Sequence, residues 1–560
     1  MKIKYRPEID SLRALAVISV IIYHAKINIF NVKIFEGGFL GVDIFFVISG
    51  YLITSIIITD LKNNNFSILN FYERRIRRII PVLVFVIIIT FPFGWFYLLP
   101  LQFIEFSKSA LFSLIFSSNI FFWLDGVEYI KTESLFKPYL HTWSLSVEEQ
   151  YYLIVPFILI FFYKRKLILH ILILILLTSL FHAIFSSTKY PVFNFFSLST
   201  RAWEIAAGSI ISYLEFSKGS KKIKNNNLNE IFVFFGLLLI FVSILLFNDE
   251  IKHPHLLTTL PIIGTCLILW FANKDLLIIK FLSFRIFIIV GLISYSLYLW
   301  HFPLFAFARI TGFVEGSILN KIILIFSLFI LSFLTYHFIE KKFRNPNFKF
   351  STVLKFCFSF IFFTFLFSYL VISNNGFKNR IPPILSQIVN DSDYWINFSD
   401  NKKDICLNNI EACRFYEEKK KKLYFIGDSH MATLIKHTTQ KLKNEDYNII
   451  FSTFMHCMYY PISIHKDDCK ENHYKKLETE LLNEKNATLV LLGRYPLYIE
   501  NMYFDNKEGG LEKEGKIFDK NKKFLNQYSE IEKNTMFNFK QLLKNNHKII
   551  LIYPIPEVGW

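Results

Sequence analysis

The chain of 560 residues is 53% hydrophobic and 18% aromatic, with a formal net charge of +17. Apolar content at that level, gathered into long runs, excludes an ordinary soluble protein and points to a polytopic membrane protein. The positive charge is no argument for nucleic acid, because much of the Lys and Arg lies in short clusters between apolar runs, where basic residues orient membrane helices.

The first apolar run follows "MKIKYRPEIDSLR" and ends in "IIYHAKINIF" without a small-residue cleavage site, so the first helix is expected to be retained. Runs of spanning length begin near residues 9, 38, 79, 147, 167, 200, 229, 255, 286, 318 and 353, which predicts eleven spans. With a cytoplasmic N-terminus the inside loops are "DLKNNNFSILNFYERRIRR", "YKRK", "SKGSKKIK", "NKDLLIIK" with Arg285, and "EKKFRNPNFK". Every basic cluster then falls inside. A twelfth span at 104–123 would move three of those loops outside, so that run, with Glu105, Lys108 and Trp123, is expected to be re-entrant or to lie on the outer surface.

In "EIDSLRALAVISVIIYHA" Arg13 and His24 stand eleven residues apart, roughly three turns and about 16 Å of rise, so they share a helix face. A charge inside a bilayer costs roughly 2.5 to 3.5 kcal/mol, which favours a protein-lined cavity around them. Asp10, three residues before Arg13, is spaced to pair with it. From this helix alone a structural ion pair with a hydrogen-bonded histidine fits equally well. "GVDIFFVISGY" adds Asp43, "HTWSLSVEEQYYLIVP" adds His141, Ser144 and Glu148 on one face, and "RAWEIAAG" adds Arg201 and Glu204. Asp43, His141, Arg201, Glu204 and Glu148 are therefore expected at span ends, around a pore or outer mouth. Physics alone leaves a transporter or flippase open.

From about residue 374 the composition turns polar, and short strands near 422–426, 448–453, 487–492 and 548–552 alternate with helical stretches, which predicts an α/β domain. Four of the six cysteines, Cys406, Cys413, Cys457 and Cys469, fall in this tail. An oxidising compartment would pair them, and closeness favours Cys406 with Cys413 and Cys457 with Cys469. Free thiols are the other reading. In "KKLYFIGDSHMATLIKH" a strand, a Gly-Asp-Ser turn and a helix follow one another, an arrangement that suits a nucleophile at Ser429 as well as a helix cap.

The ordered set "RALAVISVIIYH", "GGFLGVDIFFVISGYLIT", "FYERRIRRIIP", "HTWSLSVEEQYY", "RAWEIAAG", "SYSLYLWHFP" and "HFIEKKFR" resembles the membrane acyltransferase-3 family over about residues 5–345. The "IGDSH" of the tail is similar to the SGNH-hydrolase-like domain that many members carry after an eleventh span. The resemblance implies an α-helical polytopic domain of about ten spans (1–345), a linking eleventh (346–375), an extracytoplasmic linker (376–420) and an α/β, flavodoxin-like SGNH domain (421–560). It further implies an O-acyltransferase of the bacterial inner membrane, using cytosolic acyl-CoA, as a rule acetyl-CoA, and no metal. Its acceptor would be a cell-envelope glycan: lipopolysaccharide with its O-antigen, peptidoglycan and exopolysaccharide all fit.

Residue by residue, Arg74, Arg75, Arg77 and Arg78 are suited to the donor's phosphates, since arginine forms bidentate charge-assisted hydrogen bonds. Arg13 would meet the donor. His24 would act as general base or carry the acyl group itself, and Glu148 would orient or relay. Ser429 would take the acyl group outside, with the backbone of Gly427 and Asp428 as part of an oxyanion hole. The SGNH pattern also asks for a late Asp-x-x-His, which does not occur in this sequence, and Gly493-Arg494 stands where an asparagine would be sought. The domain is therefore expected to be incomplete at its C-terminus.

Overall fold

The computed structural model describes residues 5–29, 32–33, 35–127, 132–218, 225–249, 251–314, 318–381, 406–407, 409, 411–454, 459, 474–493, 536–537 and 539–552. Two compact units divide the chain, Met1–Lys378 and Asn379–Trp560.

The first unit is helical apart from a small hairpin, β1 (Asn28–Ile29) and β2 (Val32–Lys33). Its helices are α1 (Pro7–Ala25), α2 (Gly41–Lys62), α3 (Ile68–Tyr97), α4 (Pro100–Leu114), α5 (Ser118–Leu124), α6 (Thr142–Tyr163), α7 (Ile168–Lys189), α8 (Pro191–Phe196) and α9 (Leu198–Lys218). They continue with α10 (Asn226–Leu246), α11 (Thr259–Phe271), α12 (Leu277–Leu282), α13 (Arg285–Leu292), α14 (Ser294–Ile310), α15 (Ile318–Thr335), α16 (Lys341–Arg344) and α17 (Phe350–Ser373). Local chemistry sets the ends of α1: Pro7 starts it, Glu8 and Asp10 occupy the first turn, and Lys26 closes it in the left-handed region at φ 47°.

Each of the eleven expected runs falls on a helix, but among the described residues seven helices are long and apolar enough to cross a membrane, eight if α13 and α14, bent by 65°, form one span. The difference lies in α1, α9 and α11. Charged side chains interrupt α1 and α9, and α11 has 13 residues. The doubtful run at 104–123 forms the 15-residue α4 and the 7-residue α5, neither of spanning length. α2 and α9 cross at glycine: a Cβ on Gly50 would fall 1.8 Å from the Ile205 carbonyl, and one on Gly208 1.9 Å from that of Val47. Small residues let membrane helices approach this closely.

The second unit holds a mixed five-stranded sheet in the order β3-β5-β4-β6-β7, built from β3 (Cys413–Phe415), β4 (Lys421–Gly427), β5 (Tyr447–Thr453), β6 (Thr488–Leu492) and β7 (Lys548–Leu551). β3 runs antiparallel to β5, and the other pairings are parallel. Tyr424, Ile426, Ile450, Leu489 and Leu491 form the core of one face, while Phe425, Ile449, Phe451 and Val490 pack on the other. The Tyr424 hydroxyl donates to Glu480 at 2.7 Å, and burial together with that carboxylate pushes its phenol up. Cys406 and Cys413 are joined as a disulfide. Cys457 and Cys469 lie outside the described residues.

Candidate active site

α1, α2, α3, α6 and α14 surround a cavity in the membrane unit. Three arginines and one carboxyl group line it: Arg13, Arg75, Arg78 and Glu148. The spacing of Arg75 and Arg78 on α3 and of Ser144 and Glu148 on α6, three and four residues, puts each pair on one helix face. Arg13 pairs with Asp10 at 3.3 Å. Glu148 accepts a hydrogen bond from Ser49 at 3.0 Å, and Arg75 lies over the Tyr152 ring, 5.4 Å from its centroid.

Tyr298 links this cavity to a buried set of imidazoles. It lines the cavity, shares a 2.6 Å hydrogen bond with Ser144, and donates to the His141 carbonyl at 2.9 Å. The His301 ring lies 5.2 Å from that of Tyr298, 5.3 Å from His141 and 5.4 Å from His24. All three histidines are buried, and Phe302 packs against each of them. Arg309 donates to the carbonyl of His24 and, at 3.5 Å, to that of Leu135, which ties the end of α1 to the loop before α6.

Asp43, Arg201 and Glu204 form a separate closed cluster. Arg201 Nη1 lies 3.1 Å from each carboxylate and 2.9 Å from His253 Nε2, and its guanidinium packs over Trp143 and Phe195. The three acid and base side chains have 0% exposure, so they line no opening. The shared arginine bridges the two acidic side chains where water cannot reach, and Asp43 Oδ2, Glu204 Oε2 and Arg201 Nη2 have no hydrogen-bond partner among the described residues.

In the second unit Ser429 follows the carboxyl end of β4 and begins the helix Ser429–Ala432. Asp428 caps that helix, accepting from the His430 N–H at 2.9 Å, and the Gly427 carbonyl accepts from the Tyr474 hydroxyl at 3.0 Å. Gly427 has to be glycine, since a Cβ there would fall 1.7 Å from the Leu492 carbonyl. His547 is held at the other end of the strands: its Nδ1 accepts from Ala487 N–H at 3.2 Å and its Nε2 donates to the Leu481 carbonyl at 2.9 Å. The parallel ladder sets Lys548 beside Thr488 and Leu423, at the amino ends of these strands, so about 20 Å of strand separates His547 from Ser429. His430 is the next residue in the helix and does not face Ser429. His437 is exposed on the helix Ile435–Lys441, and His456, His465 and His473 lie outside the described residues.

The acyltransferase-3 family model, an acyltransferase domain, matches residues 6–337. The chain belongs to the acyltransferase-3 family. A second model, the SGNH domain found fused to such domains, matches residues 397–560. The O-acetyltransferase OatA of Staphylococcus aureus (strain NCTC 8325 / PS 47) is 31% identical over 367 residues, covering 62% of this chain and 58% of that protein. The peptidoglycan O-acetyltransferase OatA of Listeria monocytogenes serovar 1/2a (strain ATCC BAA-679 / EGD-e) is 32% identical over 362 residues, covering 62% of this chain and 57% of that protein. The matches thus span under three fifths of these relatives. No solved structure matches the chain.

Within this acyltransferase-3 domain the residues singled out from sequence separate into groups. Of the four arginines assigned to the donor, Arg75 and Arg78 line the cavity. Arg74 instead pairs with Asp60 at 3.1 Å, half exposed, and Arg77 pairs with Glu73 at 2.8 Å and packs over Phe350. Glu148, expected at the outer mouth, shares the cavity with two of the arginines expected at the cytoplasmic side, Arg75 and Arg78. Arg13 lines the cavity, whereas His24 and His141 join the imidazole layer behind Tyr298. His301, Tyr298, Ser49 and Arg309 were not singled out by sequence. The signal lay in "SYSLYLWHFP", where Tyr298 and His301 are three residues apart on one helix.

Proposed function

We propose that this chain transfers an acetyl group from cytosolic acyl-CoA, across the inner membrane, to hydroxyls of a cell-envelope glycan, with peptidoglycan the acceptor suggested by the names of its relatives. The observation that carries the reading is one cavity that combines Arg13, Arg75, Arg78 and Glu148 and adjoins, through Tyr298, the layer containing His24. Arginines favour the donor's phosphates, and a buried imidazole takes a proton from an attacking hydroxyl.

In this reading the glycan hydroxyl attacks the thioester carbonyl, His24 receives the hydroxyl proton, the carbon–sulfur bond breaks, and the CoA thiolate leaves with a proton returned by His24. An acyl group carried for a time on His24 is the variant of the same route. Arg75 and Arg78 hold the donor, Arg13 fixes it near the reacting atoms, and Glu148 orients them. Ser429 stands at the strand end where an extracytoplasmic carrier would sit, with the SGNH unit outside the membrane, but no described histidine serves it as base. The chemistry is therefore assigned to His24.

Mass spectrometry of surface glycans from cells with wild-type protein, without it, and with His24→Ala or Arg13→Ala tests the reading. Acetyl esters are expected with the wild type alone while each variant remains inserted. Full acetylation with His24→Ala ends the assignment.

A further inference from the structure

His301 is the best-defined imidazole in the membrane unit that the reaction above leaves unused. Its Nδ1 lies 2.5 Å from the backbone carbonyl of Tyr298. A carbonyl oxygen only accepts, so this contact is a hydrogen bond only if Nδ1 carries the proton. The neutral ring is thereby fixed as the Nδ1–H tautomer, and its Nε2 is an acceptor. That Nε2 is fully buried and has no hydrogen-bond partner among the described residues. An orphaned acceptor in such surroundings is costly unless a donor reaches it.

The rings around it narrow that donor to an imidazole, His24 or His141, and both ring nitrogens of His141 lack a hydrogen-bond partner among the described residues. His24, His141 and Tyr298 have centroids 5.2 to 5.4 Å away, and Phe302 and Phe305 close the apolar sides. The Tyr298 hydroxyl is engaged with the His141 carbonyl and Ser144. Arg309, the nearby charge, is turned to the carbonyls of His24 and Leu135.

We propose that His301 is a positioning residue for His24: its Nε2 receives the N–H of the His24 ring, which selects the His24 tautomer whose other nitrogen faces the substrate hydroxyl. When His24 takes that hydroxyl's proton, the positive charge of the imidazolium is shared toward His301, and the proton leaves again with the CoA thiolate. The inference rests on His24 acting as proposed above. A second group that orients a catalytic imidazole governs its tautomer and its basicity, so its removal lowers turnover more than donor binding.

The test uses the full chain in membranes, with labelled acetyl-CoA and a glycan acceptor. His301→Phe keeps the ring volume without the acceptor, and His301→Leu provides a second apolar replacement should the first fail to insert. His301→Gln sets a carbonyl oxygen about where Nε2 stands. Per inserted molecule, His301→Phe or His301→Leu is expected to lower kcat about a hundredfold with KM for the donor changed less than about threefold. His301→Gln is expected to restore at least about tenfold of that loss. The limb of the pH profile that belongs to His24 is expected to shift in the apolar variants and return in His301→Gln. Wild-type kcat and pH profile in an inserted apolar variant, or equal loss in His301→Gln and His301→Phe, would overturn the inference while leaving the proposed function standing. An absence of transfer by the wild type would instead overturn the function itself.

Discussion

Ser49 on α2 donates its hydroxyl hydrogen to Glu148 on α6 at 3.0 Å, inside the cavity that Arg13, Arg75 and Arg78 also line. The bond fixes one carboxylate oxygen and leaves the other to face the arginines or a ligand. Glu148→Gln retains the shape and an acceptor for Ser49 but removes the charge. It is expected to lower acyl transfer about tenfold or more at normal insertion, in the range of lost proton transfer or orientation. Transfer from labelled acyl-CoA, scaled to inserted protein, measures this; a wild-type rate would remove Glu148 from the reaction.

The separation of the arginine cluster gives a sharper contrast. A charge-assisted hydrogen bond contributes roughly 1.5 to 3 kcal/mol, so Arg75→Ala or Arg78→Ala is expected to raise KM for acyl-CoA about tenfold to a hundredfold. Arg74, whose side chain is 52% exposed and pairs with Asp60, is expected to shift it less than about twofold on replacement by alanine. Equal effects at all three positions would mean that the cavity is not where the donor binds.

Arg201 bridges Asp43 and Glu204 where neither has access to water. Arg201→Ala leaves two carboxylates buried together, a change expected to cost about 3 to 5 kcal/mol. Thermal unfolding of the detergent-solubilised protein should reveal it as a marked fall in Tm, or as no folded protein at all. An unchanged Tm would show that the cluster is not structural.

Ser429 lies at the opposite end of the strands from His547 and has no base among the described residues. An unassisted serine hydroxyl is a poor nucleophile near neutral pH. Ser429→Ala is therefore expected to leave glycan acylation within about threefold of wild type. A loss of several orders of magnitude, read by the same glycan mass spectrometry, would show that one of His456, His465 or His473 serves it.

Placement of the second unit outside the membrane has its own check. A cysteine introduced at the exposed Lys443 is expected to react with an impermeant maleimide added to intact cells, and Cys406 and Cys413 to resist alkylation until a reductant is added. Labelling of residue 443 from the cytosolic side alone overturns that placement.

The sequence by itself determined what one-dimensional periodicity and composition can carry. Long apolar runs fixed a helical membrane unit, and period and turn chemistry located β4, β5, β6 and β7 to within a residue or two, because strand and helix preferences are local. The Asp10–Arg13 pair followed from helix spacing alone. Only the tertiary structure decided which charges meet. Asp43 and Arg201 are 158 residues apart in sequence and 3.1 Å apart in space. Arg74 and Arg75 are adjacent and point to different surroundings, since neighbours on a helix diverge by about 100°. His301 was legible only as part of a motif. Its closeness to His24 arises because α1 packs against α14, a contact between distant segments that no local pattern encodes.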